Sequence, residues 1–237
     1  RIYRDGIGFK MGPFELGDLT GMDVSHPVSE SIYHQYYEEA RYRPSVITRQ
    51  RFIAKQLGRK TGKGFYDYTS GSKVGDVAPT LVEKLDQYPS VWLATEYSED
   101  RQALEQYLQQ FNIQIEQTET PSADALILIA TYGEDATSAA VRYQVSPQQV
   151  VCIDLLYGLN KHRTLMPTFV TQPELIKAAQ SIFNLDGMTV SVIQESVGFV
   201  AQRALAMIVN LGCDIAQQGV ATVEDINIAV KLGLGYP

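Results

Sequence analysis

Residues 195–237 read ESVGFVAQRALAMIVNLGCDIAQQGVATVEDINIAVKLGLGYP, and this stretch indicates how the rest of the chain is organised. Its first half has a repeat of apolar residues near the helical period of 3.6. The two apolar rows are Val200, Ala204, Met207 and Leu211, and Ala201, Leu205, Ile208 and Ile215. They predict a long helix that packs on two sides. Gly219 is placed to end this helix, and Thr222 with Asp225 predicts the capped start of a second one.

The glycine-rich end of this stretch has a counterpart at the start of the chain. Residues 4–9 read RDGIGF and residues 231–236 read KLGLGY, with the glycines in register and a basic residue first. The segment MGPFELGDLTGMDV follows the first of them, at residues 11–24. We therefore predict an internal repeat, with the chain starting inside one copy of a helical domain and ending inside a second. We also expect the sequence to be an excerpt of a longer polypeptide.

These motifs resemble a known family. GFVAQR, the long helix, GVATVEDIN and KLGLGYP, in this order, resemble the start of the C-terminal helical domain of NAD-dependent 3-hydroxyacyl-CoA dehydrogenases. In that family GYP precedes a segment similar to MGPFEL, then a tyrosine-rich helix, RYRPS and GRKTGKGFYDY, as found here up to residue 68. The resemblance is to the C-terminal portion of the long form, known from phenylacetate degradation and fatty-acid β-oxidation. It implies an oxidoreductase that converts 3-hydroxyacyl-CoA to 3-ketoacyl-CoA.

The middle of the chain has a different periodicity. Apolar runs predict strands at residues 91–95, 125–130, 150–155 and 189–193, and amphipathic stretches predict helices at residues 100–111 and 134–143 and from Pro173 onward. This alternation predicts a parallel, doubly wound sheet. The predicted fold class is mixed, with all-α helical segments flanking a degenerate α/β Rossmann-like domain.

Three domains are predicted from this division. They are a partial helical domain at residues 1–75, a degenerate Rossmann-like domain at residues 76–196, and the start of a second helical domain at residues 197–237. Residues 69–79 have the composition of a linker.

The turn after the first predicted strand does not fit a dinucleotide. G-x-G-x-x-G lets backbone amides at a helix start approach the pyrophosphate. Residues 96–100 read EYSED, with three carboxylates and no glycine. We expect no cofactor-binding residue in this chain, and the resemblance implies that NAD is bound by a domain upstream of Arg1.

The catalytic pattern of the family is also missing. The resemblance implies a general-base histidine in a segment similar to HFFNP, whose counterpart here is IDLLYGLN at residues 153–160. His162 follows, between Lys161 and Arg163. It could be a displaced base, but the two cations disfavour its protonated form, and general-base histidines normally have an orienting partner, so a loop residue is the favoured interpretation.

The resemblance supplies four candidate site residues. Gln202 stands where the family has a substrate-facing asparagine, and its amide reaches one methylene further. It is the single candidate for a catalytic role. Met11, Pro13 and Phe14 are predicted to lie near the acyl-CoA substrate, because they belong to the MGPFEL segment.

Two patterns are interpreted as structural. His26, Glu30 and His34 share a predicted helix, but zinc sites need three or four protein ligands, so we expect solvent-facing residues and no metal. GRKTGKG at residues 58–64 has three residues between its first two glycines and a glycine after its second lysine. A phosphate loop needs four residues and a following Ser or Thr, so this run predicts a turn that ends the helical domain.

Composition limits the partners. The net charge of −7 and the pI near 5.0 argue against nucleic-acid binding. The sequence lacks an apolar run of about 18 residues, so no membrane partner is expected. Two cysteines in apolar surroundings favour a reducing compartment, and we expect the cytoplasm.

The expected partners are the acyl-CoA substrate and the protein itself. Each helical segment has an apolar stripe, so residues 14–57 are predicted to pack against residues 199–215, within one chain or across a two-fold dimer. The alternative function is a non-catalytic structural module that buries the family's dimerisation face within one chain.

Overall fold

The structure is a computed structural model, and it describes residues 1–71, 73–75 and 82–236. It divides into two compact units: residues 10–78 form the smaller unit, and residues 1–9 with 79–237 form the larger one. The three-domain division stays a prediction. The predicted linker at residues 69–79 falls partly outside the described residues.

The described residues of the smaller unit form three α-helices. They are α1 (Pro13–Thr20), α2 (Met22–Gln35) and α3 (Val46–Ile53), and 3₁₀ turns lie at Ala40–Tyr42 and Arg59–Thr61. Pro13 occupies the first turn of α1. A backbone N–H has no acceptor within the helix at this position, so proline costs no hydrogen bond. Ser45 caps α3, because its side chain accepts a hydrogen bond from the Ile47 amide. Helix α2 packs against both α1 and α3.

The glycine-rich run at residues 58–68 closes this unit against α1. The fully buried Asp18 carboxylate accepts hydrogen bonds from the Phe65 amide at 2.8 Å and the Tyr66 amide at 2.9 Å. A Cβ on Gly64 would lie 2.1 Å from Asp18 Oδ1, and one on Gly58 would lie 2.3 Å from the Asp18 carbonyl oxygen. These glycines therefore permit a close backbone approach. The run is a turn, as its spacing predicts.

The larger unit is built around a five-stranded sheet and its connecting helices. In chain order the elements are β1 (Val91–Ala94), α4 (Ser98–Gln110), β2 (Leu126–Ala130), α5 (Ala136–Tyr143), β3 (Val150–Ile153), β4 (Arg163–Pro167), α6 (Pro173–Ile182), β5 (Val190–Val192), α7 (Val200–Gln217) and α8 (Val223–Ile228). A 3₁₀ turn lies at Pro147–Gln149, and π-helical turns lie at Ile2–Ile7 and Ala229–Gly233.

The sheet has the strand order β1-β2-β3-β4-β5. Ile115 also pairs with Val91 in parallel, on the edge of β1 opposite β2. The chain therefore goes to one side of β1 and returns on the other, which creates a topological switch point at β1. The mostly parallel sheet with connecting helices confirms the predicted α/β class for this part of the chain.

One strand was not predicted. Strand β4 pairs antiparallel with β3 and parallel with β5, so the prediction of a wholly parallel sheet is wrong. The reason is the length of the connection: residues 154–162 are too few for the crossover of a dozen or more residues that a parallel neighbour requires.

Each face of the sheet has its own core. Leu126 and Leu128 of β2 point to the face covered by α4 and α6, where Leu104 and Ile182 are buried. Ile127 and Ile129 point to the opposite face, which is covered by α5 and by residue 199 at the start of α7. The alternation follows the two-residue period of a strand that is covered on both faces.

Helix α7 is buried only near its start. Ala201 and Ala204 are buried, whereas Leu205, Met207 and Val209 have exposed fractions of 36%, 43% and 55%. The predicted two-sided packing is therefore present only for the first turns of the helix. The predicted cap of α8 is confirmed, because the Thr222 hydroxyl accepts a hydrogen bond from the Asp225 amide at 3.1 Å.

Arg163, the first residue of β4, crosses the core with only 1% of its side chain exposed. Its guanidinium contacts both carboxylate oxygens of Asp186 at 2.8 and 2.5 Å and donates to the carbonyl oxygens of Leu159 and Phe183. It also donates to the Tyr107 hydroxyl at 3.0 Å. The planar guanidinium thus joins the loop before β4, helix α4 and the segment that follows α6.

Replacing Arg163 with Met should destabilise the larger unit by about 3–5 kcal/mol, because Asp186 and two buried carbonyls lose their donor. Chemical denaturation followed by the fluorescence of Trp92, the single tryptophan, measures the loss. Arg142→Met is the control: Arg142 pairs with Glu134 at 2.8 Å but is 40% exposed, so about 1 kcal/mol or less should be lost. Equal losses for the two variants would contradict a structural role for the buried pair.

Candidate functional site

In a sheet with a switch point, ligands bind beyond the carboxyl ends of the strands on either side of it. Here these ends lead into residues 95–97 after β1, 131–135 after β2 and 154–162 after β3. The start of α7 lies against the same edge, because Gln202 contacts residues that follow both β2 and β3. This edge is the candidate site.

The start of α4 carries acidic and aromatic side chains. The Tyr132 hydroxyl donates to Asp100 Oδ2 at 2.9 Å, and the Tyr132 ring meets Tyr97 edge to face at 5.6 Å. Burial, with the hydrogen bond to Asp100, raises the pKa of Tyr132 well above its ordinary value. An adjacent groove of about 570 Å³ is lined by Tyr132, by the carboxylates of Glu96, Glu134 and Asp135, and by Arg142, which pairs with Glu134. These residues do not fit a pyrophosphate, which needs free backbone amides and no opposing negative charge.

Gln202 has no free hydrogen-bonding capacity. Its Oε1 accepts from the Gly133 amide at 2.9 Å and the Phe199 amide at 3.3 Å. Its Nε2 donates to the Thr131 carbonyl at 2.9 Å and to Asp154 Oδ1 at 3.0 Å. A primary amide offers two donors and two lone pairs, so all four are used. The side chain therefore joins β2, β3 and α7, and it has no donor or acceptor left for a substrate.

Asp154 is the polar residue that the sequence analysis missed. It is the first residue after β3, and Oδ1 accepts from Gln202 and from the Leu156 amide at 3.2 Å. Burial raises the pKa of this carboxyl above its ordinary value, and the two hydrogen bonds oppose the rise. A polar residue directly after the apolar run VVCI was the available signal, since strand ends in such sheets often carry site residues.

An open, largely apolar groove of about 640 Å³ lies beside this network. Leu156 lines one side, and Leu205 and Val209 of α7 line another. Gln202 also lines the groove, but its amide atoms are engaged with the protein. The walls suit apolar contact, and the side chains do not present an acid–base pair of the kind that hydride transfer from an alcohol requires.

His162 lies in the loop before β4, as predicted, but it is buried rather than solvent-facing. Nδ1 is 2.6 Å from the Thr189 hydroxyl, and Nε2 is 2.9 Å from the Ser191 hydroxyl. Burial lowers the pKa of His162 to about 4, with the nearby Asp5 carboxylate opposing the shift. Both ring nitrogens are engaged with hydroxyls of residues 189–191, so the imidazole holds the loop to the start of β5.

The histidines of α2 differ from each other. His26 is buried, with Nδ1 3.1 Å from the Thr48 hydroxyl and Nε2 3.3 Å from Glu30, so the prediction of a solvent-facing residue is wrong for it. The hydroxyl from α3 and the neighbouring Phe52 ring account for its burial. His34 is exposed and lies 3.6 Å from Glu38. Across residues 1–71, 73–75 and 82–236, no group of three or more His, Cys, Asp or Glu side chains is placed to hold a metal ion.

Met11, Pro13 and Phe14 lie at the start of α1 in the smaller unit. Phe14 is half exposed and stacks on Phe65 with ring centroids 4.6 Å apart. The Arg51 guanidinium lies 4.1 Å from the centroid of the Phe65 ring. Phe14 therefore packs on an aromatic ring that itself contacts a cation, and about half of the Phe14 surface stays exposed. The role near substrate stays a prediction.

Residues 1–68 and 198–237 match the family described as 3-hydroxyacyl-CoA dehydrogenase, C-terminal domain. Each of these two stretches is similar to that domain. The match confirms the resemblance that the sequence motifs indicate.

Relatives of this chain are dehydrogenases by name, one matched over nearly the full chain and others over about a quarter of it. A 3-hydroxyadipyl-CoA dehydrogenase of Escherichia coli K12 is 31% identical over 234 residues, which are 99% of this chain and 43% of that protein. A probable 3-hydroxybutyryl-CoA dehydrogenase of Deinococcus radiodurans is 40% identical over 67 residues, 28% of this chain and 24% of that protein.

A solved structure is similar as well. The crystal structure of 3-hydroxybutyryl-CoA dehydrogenase from Escherichia coli K12 has a TM-score of 0.74 and 31% identity, and the match covers 100% of this chain and 44% of that one. The chain thus spans less than half the length of both E. coli relatives.

The match to the family's C-terminal domain does not include the sheet, because residues 69–197 lie outside it. Gln202 lies inside the match, at the position where the sequence motif led us to expect a substrate-facing amide. Within the described part of the chain, no helix combines the length and apolarity needed to cross a membrane.

Replacing Gln202 with Asn, the residue implied by the family motif, should lower the free energy of unfolding by about 1–3 kcal/mol. The shorter side chain cannot reach Gly133, Thr131 and Asp154 together, and buried groups left without partners are costly. Gln217→Asn, at the exposed end of α7, should change stability by less than about 0.5 kcal/mol. Chemical denaturation measures the free energy of unfolding of both variants. An unchanged value for Gln202→Asn would show that the Gln202 hydrogen bonds do not stabilise the fold.

The pH dependence of stability should contain a contribution from His162. The folded pKa is about 4 and the ordinary value is 6.5, so the unfolded state binds a proton first as the pH falls. The stability from the neutral imidazole is complete above pH 6.5 and is lost between pH 6.5 and 4, by up to about 3 kcal/mol.

Unfolding free energies of wild type and His162→Asn across this range measure that contribution. The variant should show a shallower pH dependence, because the buried titrating group is gone. His34→Gln, which removes an exposed histidine, should keep the wild-type slope. Parallel curves for wild type and His162→Asn would contradict the assignment.

Proposed function

We propose that this chain is the C-terminal portion of an NAD-dependent 3-hydroxyacyl-CoA dehydrogenase. The whole protein would oxidise the 3-hydroxyl of an acyl-CoA to a ketone and transfer the hydride to NAD. The observation that carries the proposal is the match of both ends of the chain to the family's C-terminal domain. The described flanking helices, α1 to α3 and α7 with α8, are then parts of two copies of that domain.

Within such an enzyme, this portion supplies substrate-domain surface and packing rather than catalytic groups. Gln202 is saturated by protein hydrogen bonds, and both ring nitrogens of His162 are engaged. The sheet of the larger unit is a degenerate nucleotide-binding domain, and the cofactor is held elsewhere in the protein. Tyr132 and the carboxylates around the start of α4 support this view.

Titration of NADH fluorescence against the chain tests the cofactor proposal. We expect no saturable binding at micromolar concentration, because Glu96, Glu99 and Asp100 oppose the pyrophosphate charge. An active NAD-dependent dehydrogenase measured in parallel serves as the positive control. A micromolar dissociation constant for this chain would overturn the degenerate-domain proposal without affecting the family assignment.

The start of α1 is proposed to face the acyl-CoA. Met11, Pro13 and Phe14 form an exposed or half-buried edge, and the Phe14 ring is held against Phe65. An aromatic face fixed in this way offers an acyl or pantetheine chain an apolar contact with little loss of side-chain entropy.

Phe14→Ala in the intact enzyme should raise KM for acyl-CoA or lower kcat, with NAD affinity nearly unchanged. Steady-state kinetics with each substrate varied in turn separate the two effects. Tyr37→Ala is the control, because Tyr37 is 96% exposed. An effect confined to NAD would contradict the placement of Phe14 beside the acyl-CoA.

A second function is a structural module derived from the same family. The saturated Gln202 favours it, as do apolar faces open in both units: Phe14, Leu16 and Leu19 are each about half exposed, and Val209 is 55% exposed. Such faces normally meet a partner. We propose self-association of residues 14–57 with residues 199–215, in cis or in trans. A G-x-G-x-x-G turn and an HFFNP segment upstream would distinguish an enzyme from this module.

The biological setting follows from the same proposal. Fatty-acid β-oxidation or phenylacetate degradation would supply the 3-hydroxyacyl-CoA, and the cytoplasm is the proposed compartment. The E. coli relative named 3-hydroxyadipyl-CoA dehydrogenase supports the acyl-CoA class of substrate.

A further inference from the structure

Helix α3 carries a partly buried cation whose inner donor is unused. The Nε atom of Arg51 is buried, and within the described part of the chain it has no hydrogen-bond partner. Neighbouring cations of the smaller unit differ, because Arg59 pairs with Glu15 at 3.4 Å and Lys60 pairs with Asp23 at 2.7 Å. A buried donor without an acceptor is costly. An anion that reached Arg51 would supply the acceptor.

The guanidinium of Arg51 is held on an aromatic stack. Its Cζ atom lies 4.1 Å from the centroid of the Phe65 ring, and the Phe14 ring stacks on the same Phe65 ring with centroids 4.6 Å apart. Phe65 is itself fixed, because its backbone amide donates to the buried Asp18 carboxylate at 2.8 Å. A guanidinium on an aromatic face keeps its N–H donors in its own plane, where they suit the two oxygens of a carboxylate.

An apolar surface adjoins this cation. Phe14 is 51% exposed, and it shares the Phe65 ring with Arg51. An apolar chain that lay on Phe14 and ended in an anion would therefore bring that anion to Arg51. The carboxylate next to Phe14 in the sequence does not compete for Arg51, because Glu15 is paired with Arg59 and with Lys73.

The surroundings favour a carboxylate over a phosphate. A phosphate carries more charge, and its sites in proteins commonly add helix-start amides or further cations to an arginine. Arg51 offers a single guanidinium beside two aromatic rings. A planar, singly charged carboxylate at the end of an apolar chain matches this combination of a flat donor set and an apolar wall.

We propose that Arg51 is a specificity-determining residue that binds a carboxylate at the far end of the acyl chain. The preferred substrate is then a 3-hydroxyacyl-CoA whose acyl chain ends in a second carboxyl group. This inference rests on the proposed function, because it takes Phe14 as a contact of the acyl-CoA. Arg51 selects the substrate by the end of the chain that does not react, and it takes no part in hydride transfer.

Nuclear magnetic resonance of the chain tests the contact. The side-chain Nε–Hε signals of arginine are followed while hexanoate, which has an apolar chain and one carboxylate, is added at constant ionic strength. The Arg51 signal, assigned by its loss in Arg51→Lys, should shift until it saturates. Acetate lacks the chain, hexanamide lacks the charge, and inorganic phosphate is a different anion. Each of these three should bind at least about tenfold more weakly.

Arg49 provides the matched control in this titration. It is an exposed arginine of the same helix, so its signal should move no more with hexanoate than with acetate. An unmoved Arg51 signal, equal shifts of the two arginine signals, or equal affinities for hexanoate and phosphate would overturn the proposal.

Kinetics of the intact enzyme separate this inference from the proposed function. Arg51→Leu should lower kcat/KM for a 3-hydroxyacyl-CoA with a terminal carboxylate by about ten- to a hundredfold. The value for an unsubstituted chain of the same length should stay nearly unchanged. Equal losses for both substrates would overturn the role of Arg51 and leave the dehydrogenase activity in place. If the intact protein oxidises neither substrate, the proposed function fails, and the hexanoate titration alone decides whether Arg51 binds a carboxylate.

Discussion

The packing of the larger unit depends on one buried side-chain amide, that of Gln202, which must find hydrogen-bond partners for both its N–H donors and both its lone pairs. Gln202 meets this requirement with groups from three places: Thr131 and Gly133 after β2, Asp154 after β3, and Phe199 at the start of α7. A shift of any one of these segments would leave a polar atom unpaired in a low-dielectric environment, where the cost is high. The Gln202 side chain therefore helps to fix the start of α7 against the sheet, together with the buried Phe199 ring.

The same requirement limits the polar atoms that the edge of the sheet presents to solvent. A side chain whose polar atoms are all hydrogen-bonded within the protein has none left for a ligand. The polar atoms of Gln202 and His162 are hydrogen-bonded in this way. Tyr132 does the same at the start of α4 by bonding Asp100. Gln202, His162 and Tyr132 each connect elements that are distant in the sequence.

Local pattern was sufficient for the strands with uninterrupted apolar side chains. β1, β2 and β3 lie where their apolar runs predicted them, and the α8 cap formed at Thr222 because capping depends on neighbours three residues apart. Strand β4 was not predicted, because it begins with the charged residue Arg163. This charge is buried since Asp186 and two carbonyl oxygens accept its hydrogen bonds. The burial of His26 and the saturation of Gln202 likewise depend on partners that the sequence cannot bring together without the fold.

The buried Asp18 carboxylate has a consequence for how such chains are recognised. Gly58 and Gly64 can be nothing larger while Asp18 occupies its place against them, and the amides of Phe65 and Tyr66 need that carboxylate. A substitution at Asp18, Gly58 or Gly64 therefore requires a compensating change at the other positions. This constraint comes from packing, so a chain that has lost its chemistry would still carry the motif, and GKGFYDY identifies an architecture rather than an activity.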